Sequence, residues 1–127
     1  MPLILVVEDN RDINESTCEM LEMAGYEVIS ATTGAMGIYL TKTKKPDLII
    51  CDVWLTDMDA YRVKSILEEE AIQEDTPFVM ISSSTEPSEV EKGLDAGAAA
   101  YICKPFTEDE LLESVKYNLS PIEWVNN

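Results

Sequence analysis

Apolar residues in this chain fall into blocks, and four of the blocks are short, unbroken and end in a chemically distinct side chain. Residues 3–7 (LILVV) end in Glu8-Asp9, 48–51 (LIIC) in Asp52, 78–81 (FVMI) in Ser82-Ser83-Ser84, and 100–103 (AYIC) in Lys104-Pro105. Continuous apolar runs of this length bounded by polar or turn residues read as strands buried on both faces. A fifth, less hydrophobic run over 26–30 alternates enough to be a further strand, at an edge. Between the runs the apolar spacing becomes helical. Asn10 can cap a helix to about Ala24, with Gly25 as its stop and Ile13, Thr17, Met20, Leu21 and Ala24 on one face; Asn14 and Cys18 fall mostly on the others. Thr33-Gly34 turns into a short helix to about Thr41, in which Gly37 costs about 1 kcal/mol against alanine. A solvated basic loop, 42–45, follows it.

Asp59 can cap a helix through about Glu70, with Val63, Ile66 and Leu67 facing inward. Glu86-Pro87 opens another, which ends at Ala96 before Gly97, since proline is tolerated in a first turn. Thr107 and Glu110 have capping-box spacing, and Leu111, Leu112, Val115 and Leu119 form the last stripe before Ser120-Pro121. The domain thus occupies 1–119. Residues 120–127 form a C-terminal tail that either frays or docks through Trp124. Five strands alternating with five helices imply an α/β fold with a doubly wound parallel sheet. In such a sheet every strand delivers its carboxyl end to the same edge, where ligands bind. Glu8, Asp9, Asp52, Ser82 and Lys104 can therefore meet despite their separation along the chain.

Composition changes the picture only by exclusion. At 127 residues the chain is long enough for one domain with a real core. A net charge of −16 repels nucleic acid and anionic lipid, so no direct nucleic-acid or membrane contact is expected. No apolar run approaches the roughly 20 residues of a membrane span. The opening Met1-Pro2-Leu3 carries no basic leader, which points to the cytoplasm. Three cysteines without a C-x-x-C pair argue against a disulfide framework or a zinc site. The chain has no histidine.

Three carboxylates at one sheet edge repel one another, and at least one pKa should rise unless a cation joins them. Mg2+ suits such a site, because it takes oxygen ligands and one or two carboxylates while keeping water. A metal and Lys104 would neutralise an incoming phosphoryl group, and Asp52 could be its nucleophile. The edge therefore reads as a phosphoryl-and-metal site.

The residues around it carry a resemblance. VVEDN (6–10), PDLIICD (46–52), Ser82 followed by a small Ser83, GLDAGAAAY (93–101) and KPF (104–106) together resemble the response-regulator receiver domains of two-component signalling. The resemblance implies a flavodoxin-like (βα)5 fold with strand order 2-1-3-4-5, and a phosphoryl group accepted on Asp52 from a sensor histidine kinase or a histidine phosphotransfer protein. It implies direct Mg2+ ligation by Asp9, Asp52 and the Trp54 backbone carbonyl, with Glu8 acting through a metal-bound water. Lys104 and Ser82 would hold the phosphoryl oxygens beside Ser83, the Lys104–Pro105 peptide would be cis, and Ser82 with Tyr101 would form the switch. Tyr101 is expected to turn inward from a solvent-facing rotamer. The output face would comprise helix 87–96, strand 100–103 and helix 108–119, docking a downstream effector protein. Between Glu86 and Glu123 there are nine acids and three lysines, so that partner must tolerate an acidic surface.

The chain departs from the family pattern at Thr56, commonly proline, and Ala60, commonly glycine, so the loop after Asp52 is expected to differ in conformation. Catalysis is expected only on the chain's own phosphorylation and dephosphorylation. Two rivals are a phosphorylation-independent interaction domain, whose mark would be a missing Asp52, Lys104 or acidic pair, and an aspartyl-phosphate phosphatase. The phosphatase class needs a second acid two residues after the nucleophile, and Trp54 stands there. A third rival, a nucleotide-binding flavodoxin-like module, would need a glycine-rich loop, and the chain has neither a G-x-G-x-x-G nor a P-loop motif.

Overall fold

The computed structural model of the protein describes residues 1–119; the tail 120–127, with Trp124, lies outside the described residues. Strands β1 (Leu3–Val7), β2 (Glu27–Ala31), β3 (Leu48–Asp52), β4 (Phe78–Ser82) and β5 (Ala100–Cys103) alternate with helices α1 (Arg11–Met23), α2 (Gly34–Lys44), α3 (Ala60–Glu69), α4 (Pro87–Asp95) and α5 (Glu108–Leu119). All pairings are parallel, in the order β2-β1-β3-β4-β5. This is the flavodoxin-like order, with β3 at the centre and each residue from Leu48 to Asp52 buried.

Alternation along the strands splits the core in two. Leu5, Val7, Ile49, Cys51, Phe78 and Met80 face one side and pack with α2, α3 and Tyr101, while Ile4, Val6, Leu48, Ile50, Val79 and Ile81 face α1 and α5. Because both faces are covered, the strands read as unbroken apolar runs rather than alternating ones. Helix ends follow local chemistry: Asn10, Thr33 and Asp59 each accept a hydrogen bond from a backbone N–H in the first turn. At the start of α5, the Glu110 N–H donates to Thr107 Oγ1 and the Thr107 N–H to Glu110 Oε1, both at 3.1 Å.

Several boundaries differ from those read in the sequence: α1, α3 and α4 each end one residue earlier, at Met23, Glu69 and Asp95. β2 runs one residue later, and α2 continues to Lys44 instead of ending at Thr41, with Lys45 closing it in a left-handed conformation at φ 50°. Lys42 and Lys44 belong to its last turn, where cations complement the negative end of the helix dipole. Gly37 is there for close approach, since a Cβ at that position would stand 2.8 Å from Val7 Cγ2 on β1. In α1 the inward face is centred on Asn14, Thr17 and Leu21, and Ala24 is exposed.

Candidate functional site

The carboxyl ends of β1, β3 and β5 converge, and each delivers its residue through a specific backbone arrangement. Past β1, the Glu8 N–H donates to the Ala31 carbonyl at 3.0 Å. Buried Asn14 then donates through Nδ2 to the Glu8 and Ala31 carbonyls, at 3.0 and 3.2 Å. That clamp ties the β1 end to α1 and β2, so the Glu8 and Asp9 side chains start from a fixed backbone. Asp52 closes β3 opposite Ile81 of β4. The Lys104 N–H continues the ladder to the Ser82 carbonyl at 2.8 Å, and the Lys104–Pro105 peptide is cis.

These placements put Lys104 Nζ 2.7 Å from Glu8 Oε1 and 2.7 Å from Asp52 Oδ2. The other oxygens of the two acids are also engaged. Asp52 Oδ1 accepts from the Trp54 N–H at 3.3 Å, and Glu8 Oε2 from the Asn10 N–H at 3.2 Å. Glu8 is 4 % exposed and Asp52 7 %. Ligand oxygens of Glu8, Asp9 and Asp52 all lie within 4.8 Å of one another.

Crowding shows in the titration of Glu8. Burial raises its pKa from 4.5 to about 7, the adjacent Asp52 carboxylate adds to the rise, and the Lys104 ammonium opposes it. For Lys104 burial acts downward, yet the hydrogen bonds to Asp52 and Glu8 hold its pKa above the usual lysine value. Three converging carboxylates against one ammonium leave an excess of negative charge and an all-oxygen donor set. That set fits a hard divalent cation.

The remaining residues singled out in the sequence surround this centre. Ser82 is fully buried at the end of β4, its Oγ accepting from the Ser84 N–H at 3.1 Å. Ser83 is exposed. Ser83, Lys104 and Pro105 border an open groove of about 510 Å³ whose apolar wall is Ile13, Met20 and Phe106. Trp54 is 58 % exposed. Tyr101 does not face solvent as expected. It is half-buried, its ring lies so close to Gly93 that a Cβ there would come within 2.7 Å, and its hydroxyl donates to the Ser84 carbonyl at 3.4 Å.

Two site-forming residues escaped the sequence reading. One is Asn14, which a helical wheel places among the polar positions because an amide that satisfies two strand-end carbonyls has no apolar signature. The other is Asp57, whose carboxylate accepts from the Gly34 and Ala35 N–H groups at 2.8 and 3.0 Å. Ala60, where the family commonly has glycine, is the first residue of α3, buried, and free of positive φ. Alanine fits there without strain.

Residues 4–116 match the model of the response regulator receiver domain. The chain belongs to that family. It is 34 % identical over 116 residues to the DNA-binding dual master transcriptional regulator RpaA of Synechocystis sp., covering 91 % of this chain and 48 % of the relative. It is also 34 % identical over 113 residues to the phosphate regulon transcriptional regulatory protein PhoB of Klebsiella pneumoniae, covering 89 % and 49 %. The chain therefore spans about half the length of the curated relatives it matches. Among solved structures, a CheY-like receiver domain protein from Methanospirillum hungatei superposes with a TM-score of 0.87 at 30 % identity, covering 97 % of both chains. The chemotaxis response regulator CheY4 of Vibrio cholerae gives 0.87 at 28 %, covering 94 % of this chain and 99 % of that one. The chain is thus a receiver domain of two-component signalling. Among the described residues no helix is long and apolar enough to cross a membrane.

Proposed function

We propose that Asp52 is the phospho-accepting residue of this receiver and that Glu8, Asp9, Lys104 and Ser82 serve its phosphorylation. The observation that carries this reading is Lys104 Nζ, 2.7 Å from a buried carboxylate at the centre of the sheet edge, with Glu8 and Asp9 alongside. An Asp52 oxygen attacks the phosphorus of a phosphohistidine. The P–N bond breaks with its electron pair staying on the imidazole, and an acyl phosphate forms. Lys104 offsets the charge on the transferring oxygens, and Ser82 with the adjoining Ser83 supplies hydrogen bonds to them.

Asp9, Asp52 and the Trp54 carbonyl are the groups that would hold Mg2+, with Glu8 reaching it through water. When bound, Mg2+ supplies charge neutralisation and orients the phosphoryl group. The donor, a sensor histidine kinase or a histidine phosphotransfer protein, finds the apolar groove of Ile13, Met20 and Phe106 directly beside Lys104. Chemistry is confined to the chain's own Asp52, and its product is a changed surface.

That surface is the face of α4, β5 and α5. Ser82, drawn to the phosphoryl group, releases the Ser84 N–H, and Tyr101 is already hydrogen-bonded to the same residue. Movement of the β4–α4 segment therefore reaches Tyr101 and its seat on Gly93, biasing a two-state element. A downstream effector protein reads the result in the cytoplasm.

Acetyl phosphate with Mg2+, followed by intact mass, tests the assignment. The wild-type chain should gain one phosphoryl group. Asp52→Asn should gain none, and Asp57→Asn and Asp59→Asn should still be labelled. Label on Asp52→Asn would remove Asp52 from its role.

A further inference from the structure

The loop from Val53 to Asp59, between β3 and α3, contains neither proline nor glycine. With no such residue to set the turn, contacts shape it. Trp54 and Asp59 face each other in an antiparallel bridge, the Leu55 N–H donates to the Met58 carbonyl at 3.1 Å, and the Ala60 N–H to the Val53 carbonyl at 2.8 Å. The loop is a small hairpin, and its tip is seated on another element. Asp57 spans the first two N–H groups of α2, while Met58 packs so tightly on Gly34 that a Cβ there would lie 2.5 Å from Met58 Cγ.

At its other end the hairpin touches the reacting group. The Trp54 N–H holds Asp52 Oδ1, leaving Oδ2 to Lys104. The orientation of the Asp52 carboxylate therefore depends on where the Trp54 backbone sits, and that depends on the tip. Resting on the reading of Asp52 as phosphoacceptor, we infer that Asp57 is a positioning residue for phosphorylation: by anchoring the hairpin to the α2 N-terminus it fixes the Trp54 N–H that orients Asp52. Asp57 suits this role electrostatically. Burial acts to raise its pKa, but the N–H groups of Ala35 and Gly34 on α2, together with those of Asp57 and Met58 in the hairpin itself, hold it below the usual carboxylate value. Its charge is committed to the positive end of a helix rather than added to the acids of the site.

The test uses the whole chain, labelled by acetyl phosphate at saturating Mg2+, with three variants. Asp57→Ala should slow the initial labelling rate about fivefold, the equivalent of one lost helix cap, while the final extent on Asp52 is unchanged. Asp57→Asn keeps one of the two accepting oxygens and loses the charge, so its rate should fall between those of Asp57→Ala and wild type. Val115→Ala removes a buried core side chain from α5, eleven residues past Lys104, and lowers the melting temperature without touching the hairpin, so it should label at the wild-type rate. The inference fails if Asp57→Ala labels at the wild-type rate, or if Val115→Ala slows labelling as much for the same loss of melting temperature. A wild-type chain that accepts no phosphoryl group on Asp52 would instead overturn the phosphoacceptor reading together with this one.

Discussion

Replacing Glu8 by glutamine should stabilise the metal-free protein, and by an amount that depends on pH. Glu8 ionises near 4.5 in an unfolded chain and near 7 in the fold, because it is buried beside Asp52. Between those values the folded state carries the extra proton. Stability therefore falls as pH rises from about 4.5 to about 7 and stays low above that. At about 1.4 kcal/mol per pK unit the full effect is about 3 kcal/mol. The figure already includes the favourable Lys104 contact, which opposes the rise. Glutamine keeps an oxygen for Lys104 and does not ionise. Its advantage over wild type should be under about 1 kcal/mol at pH 5 and about 3 kcal/mol at pH 8.

Urea unfolding in chelator, followed by circular dichroism at pH 5, 6, 7 and 8, reads this directly. A gain of about 3 kcal/mol moves the midpoint by about 1–3 M urea for a domain of this size. Taking the difference between variant and wild type at each pH cancels the titrating groups that do not interact with Glu8, leaving Glu8 with its partners Asp52 and Lys104. Saturating Mg2+ should narrow the gap, because a bound cation removes the penalty on the ionised acid. An advantage that does not grow with pH, or a glutamine variant less stable than wild type at pH 8, would refute the account of Glu8 as a strained acid awaiting a cation.

Mg2+ affinity should fall as the pH drops below about 7, where Glu8 takes up its proton, and a titration at pH 8 and pH 6 should show it. At pH 8 Asp9→Asn should weaken Mg2+ more than Glu8→Gln, which calorimetry can rank; equal losses would count against direct contact by Asp9. Trp54, 58 % exposed beside Asp52, should shield the acyl phosphate, so Trp54→Asn should hasten phosphate loss after donor removal; an unchanged lifetime would exclude shielding. Gly93→Ala puts a methyl 2.7 Å from the Tyr101 ring, so aromatic NMR signals of Tyr101 should shift in the unphosphorylated protein; unshifted signals would mean that the ring is not seated on Gly93.

The central strands β1, β3 and β4 were the most legible because each is buried on both faces, which leaves unbroken apolar runs that end where the sheet ends. Glu8, Asp9, Asp52, Ser82 and Lys104 could be assigned to one edge for the same reason: a parallel sheet makes strand ends coincide, whatever their distance along the chain. The capping box of α5 was legible because its partners are three residues apart. What could not be read depends on contacts between elements. Asn14 looks like one more polar helix residue until the carbonyls at the ends of β1 and β2 are placed opposite it. Gly37 looks like a helix defect until Val7 is beneath it. Asp57 is the sharpest case, because its partners Gly34 and Ala35 lie 23 and 22 residues earlier and on a different element. A carboxylate that caps a helix from outside has no fixed spacing to that helix, so no local motif marks it. Periodicity reports which face of an element is buried. It does not report which loop rests on which helix end, and at this sheet edge that relation determines how Asp52 is held.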